Sequence, residues 1–226
     1  MDKTTKIGIL SDTHDLLRPE VVAALAGCDR ILHGGDISSR RILDRLEEIA
    51  PVSAVRGNND REWAERLPLF LDCEIAGLRI CMTHKKKDLP EDLSAYDLAV
   101  FGHSHRYESA WLAPAGRRRT LLLNPGSCGP RRFVQPITLA MLTVREDGFT
   151  VERIEIAHSA AAPEAKPGMD IRQQIEIVVR ETQRGQTVRA IAQKYGMGEE
   201  LVEQIARLYV THPGVTADGI MTKMGL

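Results

Sequence analysis

Ile7-Gly8-Ile9-Leu10-Ser11-Asp12-Thr13-His14 is an apolar run that ends in a carboxylate and an imidazole two positions apart. The run reads as a buried strand. Alternate strand residues face the same way, so Asp12 and His14 offer an oxygen and a nitrogen on one side. The same arrangement recurs along the chain. Ile31-Leu32 leads to Gly35-Asp36, Val52-Ser53-Ala54-Val55 to Gly57-Asn58-Asn59-Asp60, Leu78-Arg79-Ile80-Cys81 to Thr83-His84, and Leu98-Ala99-Val100-Phe101 to Gly102-His103-Ser104-His105. Polar groups at the carboxyl ends of strands converge on one crevice in an open α/β sheet.

Between the first three strands the pattern turns helical. Pro19 to Ala26 has helical apolar spacing with a proline near its first turn, and Ser39 to Ala50 is a second helix capped by Ser38 or Ser39. Strand and helix in alternation imply parallel pairing with right-handed crossovers. After Asp60 hairpins take over: Phe70–Ile75 with Leu78–Thr83 about Ala76-Gly77, Ser109–Leu112 with Thr120–Leu123 about Ala115-Gly116, and Ile137–Val144 with Phe149–Ile156 about Glu146-Asp147-Gly148. The expected fold is α/β: a four-layer α/β/β/α sandwich of two packed mixed sheets, with a small all-α appendage at the C-terminus. The expected boundaries are 1–157 for the sandwich, 158–168 for an Ala/Pro-rich linker and 169–226 for the helical part.

At 226 residues the chain is long enough for one sizeable domain and a small one. A net charge of −1 supplies no field to recruit nucleic acid or an anionic membrane. No apolar run approaches the roughly 20 residues of a membrane span, and the polar Met1–Lys6 leaves no room for a signal peptide. A cytoplasmic location is expected. Cys28, Cys73, Cys81 and Cys128 are too far apart for a Cys-x-x-Cys motif and read as small hydrophobes in a reducing compartment.

Two Asp, one Asn and four His make a mixed oxygen and nitrogen donor set for two divalent ions, with no thiolate. The candidate ligands are Asp12, His14, Asp36, Asn58, His84, His103 and His105. Asp36 follows a Gly-Gly turn, where its carboxylate can bridge two ions. Two dications outweigh two carboxylates even after a bridging hydroxide forms. A site that remains positive suits a phosphoester.

The order Asp-x-His, Gly-Asp, Gly-Asn-Asn-Asp, His, Gly-His-x-His resembles the calcineurin-like metallophosphoesterases over about residues 5 to 157. Ile31-Leu32-His33-Gly34-Gly35-Asp36-Ile37 and Asn124-Pro125-Gly126-Ser127 resemble their small bacterial and archaeal phosphodiesterase branch. The resemblance implies one metal on Asp12, His14, Asp36 and His105, and another on Asp36, Asn58, His84 and His103. The implied ions are Mn²⁺, Fe, Ni²⁺ or Zn²⁺, with Mn²⁺ first. It implies a dimetal phosphodiesterase in which a metal-bridging hydroxide attacks a small phosphodiester substrate.

Two departures bear on chemistry. Asn59 stands where many members carry a histidine that protonates the leaving group, so Asn59 is the candidate catalytic and substrate-contacting residue. Lys85-Lys86-Lys87 follows His84, where that branch usually has Gly-His; Lys85 is a candidate phosphate contact and Arg131 another. His33 is expected to be structural. The rival reading is a catalytically weak scaffold for protein binding, as in the retromer subunit that shares this architecture.

In the tail, Thr187–Met197 and Glu199–Leu208 resemble a helix-turn-helix with Gly196 at the turn. Residues 169–226 hold seven Lys/Arg against seven Asp/Glu, a net of zero, and Glu199, Glu200 and Glu203 crowd the second helix. Nucleic-acid affinity rests on phosphate contacts, so nucleic acid is not the expected partner. The helices are read instead as a module for self-association into a homo-oligomer, for partner binding or for covering the active site.

Overall fold

The computed structural model describes residues 4–112, 119–130, 135–156, 169–212 and 214–224, with the backbone alone at Glu200. The first described unit ends at Ile156 and the second is helical from Ile171 onward.

The first unit holds two five-stranded sheets. β1 (Thr5–Leu10), β2 (Arg30–His33) and β3 (Val52–Ala54) pair in parallel, and the hairpin of β9 (Thr138–Arg145) and β10 (Gly148–Glu155) adds antiparallel to the free edge of β1. The second sheet runs β4 (Phe70–Ile75), β5 (Leu78–Thr83), β6 (Leu98–Val100), β8 (Thr120–Pro125) and β7 (Tyr107–Leu112) in space. The three expected hairpin pairings are present; the turn about Ala115-Gly116 lies outside the described residues. The second sheet is mixed, as expected, but the hairpin signals did not show where its parallel pairs lie: β5, β6 and β8 run parallel.

The sheets face each other through Ile7, Ile9 and Leu32 from one and Ile80, Met82, Leu98 and Val100 from the other, all fully buried. This placement follows from period-two alternation in strands covered on both sides. On the outer face of the first sheet lie α1 (Pro19–Leu25) and α2 (Arg40–Glu47), which bury Val21, Leu25, Ile42, Leu43 and Leu46. Pro19 opens α1 as expected. Ser39 is the residue that precedes α2, but its side chain makes no capping hydrogen bond, which corrects that expectation. The outer face of the second sheet is covered by the stretch carrying a 3-10 turn at Lys86–Asp88 and by Leu89 and Leu93.

The second unit consists of α3 (Ile171–Gln183), α4 (Val188–Tyr195), α5 (Glu199–Thr211) and α6 (Ala217–Met224). Ile175, Val178, Ile191, Val202, Ile205 and Ile220 form its core. Gly196 ends α4 in the left-handed conformation at φ 63°, the backbone that the expected turn requires. α6 was not read from the sequence. Residues 157–168, the expected linker, lie outside the described residues. Among the described residues no helix is long and apolar enough to cross a membrane.

Cys28, Cys81 and Cys128 are buried and all four thiols are free. Burial pushes Cys81 and Cys128 up to about 12, which leaves them as packing groups with little thiolate.

Candidate metal centre

The carboxyl ends of β1, β2, β3, β5 and β6 carry the five polar motifs, and parallel pairing within each sheet sets those ends side by side. Two groups of side chains result. Asp12, His14 and His105 form one, and Asp36, His84 and His103 the other; in each, the candidate ligand atoms all lie within 4.8 Å of one another. His105 Nε2 is 3.1 Å from Asp12 Oδ1 and 3.3 Å from His14 Nε2. The two imidazoles stack with ring centroids 5.1 Å apart.

Asp36 lies between the groups. Its Oδ2 is 3.8 Å from His14 Nε2, and its Oδ1 is 3.4 Å from His84 Nε2. One carboxylate thus presents one oxygen to each set.

Several contacts fix which atoms remain available. His84 Nδ1 lies 2.8 Å from the Gly34 carbonyl and donates to it, which leaves the lone pair on Nε2. Asp12 Oδ2 accepts from the Ser11 hydroxyl at 2.7 Å and from the His103 N–H at 3.0 Å. That leaves Asp12 Oδ1, which with His84 Nε2 and His105 Nδ1 is buried without a hydrogen-bond partner among the described residues. Buried polar atoms are almost always paired. Two mostly buried groups of carboxylate oxygen and imidazole nitrogen, with no sulfur and with Asp12 Oδ1 and His84 Nε2 unpaired, fit hard-to-borderline divalent cations.

The electrostatics agree with this donor set. Burial alone would raise Asp36, yet the His84 imidazole and the Asn59 N–H hold its carboxyl well below the usual carboxylate range. Burial likewise opposes ionisation of Asp12, and His105, His84 and Ser11 outweigh it. Both carboxylates are therefore charged at neutral pH.

The backbone at the site is strained. Asp12, His14, Asp36, His103 and His105 all adopt positive φ, between 45° and 69°. Asp and His tolerate that region better than most residues, but each such residue still costs about 1–3 kcal/mol. Gly57 makes the Asp36 turn possible, because a Cβ there would come within 2.1 Å of the Asp36 nitrogen and 2.3 Å of its Oδ1.

Residues 5–147 match the sequence profile of the calcineurin-like phosphoesterase superfamily domain. The chain belongs to that superfamily. A probable metallophosphoesterase of Methanothermobacter thermautotrophicus is 34% identical over 157 residues, which span 63% of this chain and 86% of that one. A phosphodiesterase of Methanocaldococcus jannaschii is 29% identical over 147 residues, 54% of this chain and 84% of its own. Among solved structures, that of a novel archaeal phosphodiesterase aligns with a TM-score of 0.53 at 25% identity, over 67% of this chain and 99% of that one. Vacuolar protein sorting 29 from Cryptosporidium parvum shares the fold at a TM-score of 0.52 and 17% identity, over 68% of this chain and 98% of its own.

Within this phosphoesterase fold the remaining candidates separate. Asn58 is exposed and lines the same pocket as His84. Asn59 donates through its N–H to Asp36 Oδ1 at 2.8 Å and through Nδ2 to Oδ2 at 2.6 Å. Lys86 is paired with Glu108 and sits over the Phe101 ring, whereas Lys85 is half-buried in the pocket beside His84. Arg131 lies outside the described residues. His33 is fully buried, accepts from the Gly35 N–H at 3.2 Å and donates to Thr13 Oγ1 at 3.1 Å, so it braces the Gly-Gly turn.

Some supporting residues went unread in the sequence. Asp60 accepts from the backbone N–H groups of Ile37, Ser38 and Gly57 at 2.6–2.8 Å, tying the Asp36 and Asn58 loops together. Asn124 donates to the Gly102 carbonyl at 2.8 Å and Ser127 to the Asp12 carbonyl at 2.9 Å. All three stand inside motifs already conspicuous in the chain. A buried Asp or Asn in a turn is a signal for backbone bracing.

Proposed function

We propose that this chain hydrolyses phosphodiesters with two divalent cations, one held by Asp12, His14, Asp36 and His105, the other by Asp36, Asn58, His84 and His103. The observation that carries the reading is Asp36, with one carboxylate oxygen toward each group of imidazoles. When bound, the cations would polarise the phosphoryl oxygens and lower the pKa of the attacking water.

The protein's own share is positional. Asp12 is held by Ser11 and the His103 N–H, and His84 by the Gly34 carbonyl, so the donors are oriented before any ligand arrives. Asn59 keeps Asp36 in its bridging orientation and has no proton to release at neutral pH. The leaving group therefore departs without acid assistance from that position, which favours diesters with good leaving groups over monoesters. Lys85, half-buried beside His84, is placed to meet a phosphate group of the substrate, whether the scissile one or a second one on the same molecule. The helical unit, with level charge, has no footing for nucleic-acid phosphates; we assign it to self-association.

The test is hydrolysis of a chromogenic phosphodiester and its matching monoester by metal-stripped protein, with Mn²⁺, Ni²⁺, Zn²⁺ or Mg²⁺ returned singly. Metal-dependent turnover favouring the diester is expected. Absence of turnover with every ion, in protein shown to bind two equivalents, would replace this reading with that of a protein-binding scaffold.

A further inference from the structure

A cavity of about 400 Å³ opens beside His84, with Arg56, Asn58, Leu69, Phe70, Lys85 and Asp88 in its wall. Small-molecule sites run from roughly 300 to 1,000 Å³, so the space exceeds what a phosphoryl group alone requires. Its construction ties it to the metal-ligand candidates. The Arg56 N–H donates to the Pro68 carbonyl at 2.8 Å, which draws Leu69 and Phe70 alongside the Gly57–Asn58 turn. Phe70 then pairs with Thr83, the residue before His84, in the β4–β5 ladder.

Two properties of the wall point to a ligand. The first is an apolar shelf: Leu69 is 71% and Phe70 41% exposed, unusual for large hydrophobics next to a polar centre. The second is unspent positive charge. Among the described residues neither Arg56 nor Lys85 forms an ion pair, although both are half-buried and Asp88 stands in the same wall. Among the described residues the Arg56 guanidinium donates only through Nε, toward the Asp60 carbonyl at 3.3 Å. The neighbouring Lys86 and Arg79, both more exposed, are neutralised by Glu108 and Asp72. Partly desolvated cations without counterions lose hydration for no return until an anion arrives.

We propose that this pocket receives one arm of the phosphodiester, an arm bearing both an aromatic ring and a second anionic group, as the end of a nucleotide chain does. The ring lies on Phe70 and the anion meets Arg56 and Lys85, while the diester phosphorus sits by His84. The assignment rests on the phosphodiesterase reading and narrows its substrate class. A simple alkyl arm would leave both cations unanswered, and a second phosphate without a ring would leave Phe70 and Leu69 in water.

The experiment uses the full chain, wild type and the variants Phe70→Ala, Phe70→Leu and Lys85→Met, with melting temperatures to confirm folding. kcat/KM is measured for the mono-p-nitrophenyl diester of thymidine bisphosphate and for methyl p-nitrophenyl phosphate. Binding of thymidine bisphosphate to metal-stripped protein is followed by calorimetry. Wild type is expected to prefer the nucleotide diester. Phe70→Ala should reduce that preference by about ten-fold, the size of one base–aromatic stack. Lys85→Met should reduce the preference and the bisphosphate affinity together. Hydrolysis of both diesters with a preference that no variant alters would overturn the pocket and leave the phosphodiesterase reading intact. If neither diester turns over but the bisphosphate still binds and the variants weaken it, the activity falls and the pocket stands. Failure of both turnover and binding removes both.

Discussion

Asn59 grips Asp36 twice, with its backbone N–H on Oδ1 and its carboxamide on Oδ2, at 2.8 and 2.6 Å. A carboxylate that must offer one oxygen to each of two cations has to be kept from rotating about χ2, and these two donors act on both oxygens. Asn59→Ala keeps the backbone bond and loses the other. Removing an outer partner of this kind typically lowers metal affinity or activity by roughly 10- to 100-fold. Titration of metal-stripped protein with Mn²⁺ should show the loss at one of two sites, with the melting temperature of the metal-free protein little changed.

Asn59→His tests the missing proton donor. An imidazole at this position supplies an acid that the carboxamide lacks, and general acid help is worth typically about 10²–10⁴-fold where the leaving group needs it. Monoester turnover should rise relative to diester turnover. An unchanged ratio would sever Asn59 from substrate preference.

His103 sits at φ 69°, where any side chain beyond glycine is strained. His103→Ala and His103→Gly should both remove activity, since each deletes a candidate ligand. In metal-free protein they should differ: the glycine variant is expected to be about 1 kcal/mol more stable than the alanine one. Chemical denaturation without metal reads that difference, and equal stabilities would show that the loop relaxes when the imidazole is gone.

The left-handed backbone marks the limit of what the chain reveals on inspection. Asp12, His14, Asp36, His84, His103 and His105 were legible as a set because each follows an apolar run that can only be a strand. Parallel pairing then sets the strand ends side by side within each sheet, and the packing of one sheet on the other brings the two sets together. Their backbone conformations were not legible, because Asp and His are as common in ordinary turns. The parallel β5–β6–β8 core of the second sheet was hidden for a related reason. Among the described residues its crossovers carry no amphipathic α-helix of the kind that advertises a βαβ unit, and the β5–β6 crossover instead carries the 3-10 turn at Lys86–Asp88. Arg56 and Phe70 were invisible as neighbours, since the link beside them is a backbone hydrogen bond from Arg56 to Pro68, which no side-chain pattern announces.

His33 supplies a pH dependence with a definite sign. Burial, with His84 and His14 adding to it against Asp12 and Asp36, lowers its pKa from 6.5 to about 3. The unfolded chain therefore binds a proton that the folded chain does not between those values, and stability rises with pH across that window. Metal-free protein should lose on the order of a few kcal/mol as pH falls from about 6.5 toward 3. His33→Asn keeps an acceptor for the Gly35 N–H and removes the titration. Its stability at neutral pH should be lower, its slope in this window flatter. An unchanged slope would assign the acid sensitivity to other groups.

Glu181 sets the acid response of the helical unit. It is 1% exposed, and Tyr195 Oη, Arg184 Nη1, Lys194 Nζ and Arg180 Nε all reach its carboxylate at 3.0–3.4 Å, joining α3 to α4. Desolvation opposes the charge, but the hydrogen bonds from Tyr195, Lys194 and Arg180 outweigh it and hold the carboxyl below its ordinary value. A depressed carboxylate contributes stability that is present at neutral pH and is lost as pH falls below the ordinary carboxylate value and through its lowered folded-state pKa. Glu181→Gln keeps the shape but replaces one accepting oxygen with an NH2 that can only donate, so part of the Tyr195, Arg and Lys donor set loses its acceptor. The variant should lower the melting temperature of the helical unit by several degrees at neutral pH and by less in acid, once the wild-type carboxylate is itself protonated. Circular dichroism of the full chain measures both, and a shift that is the same at either pH would mean that the charge on Glu181 does not hold α3 to α4.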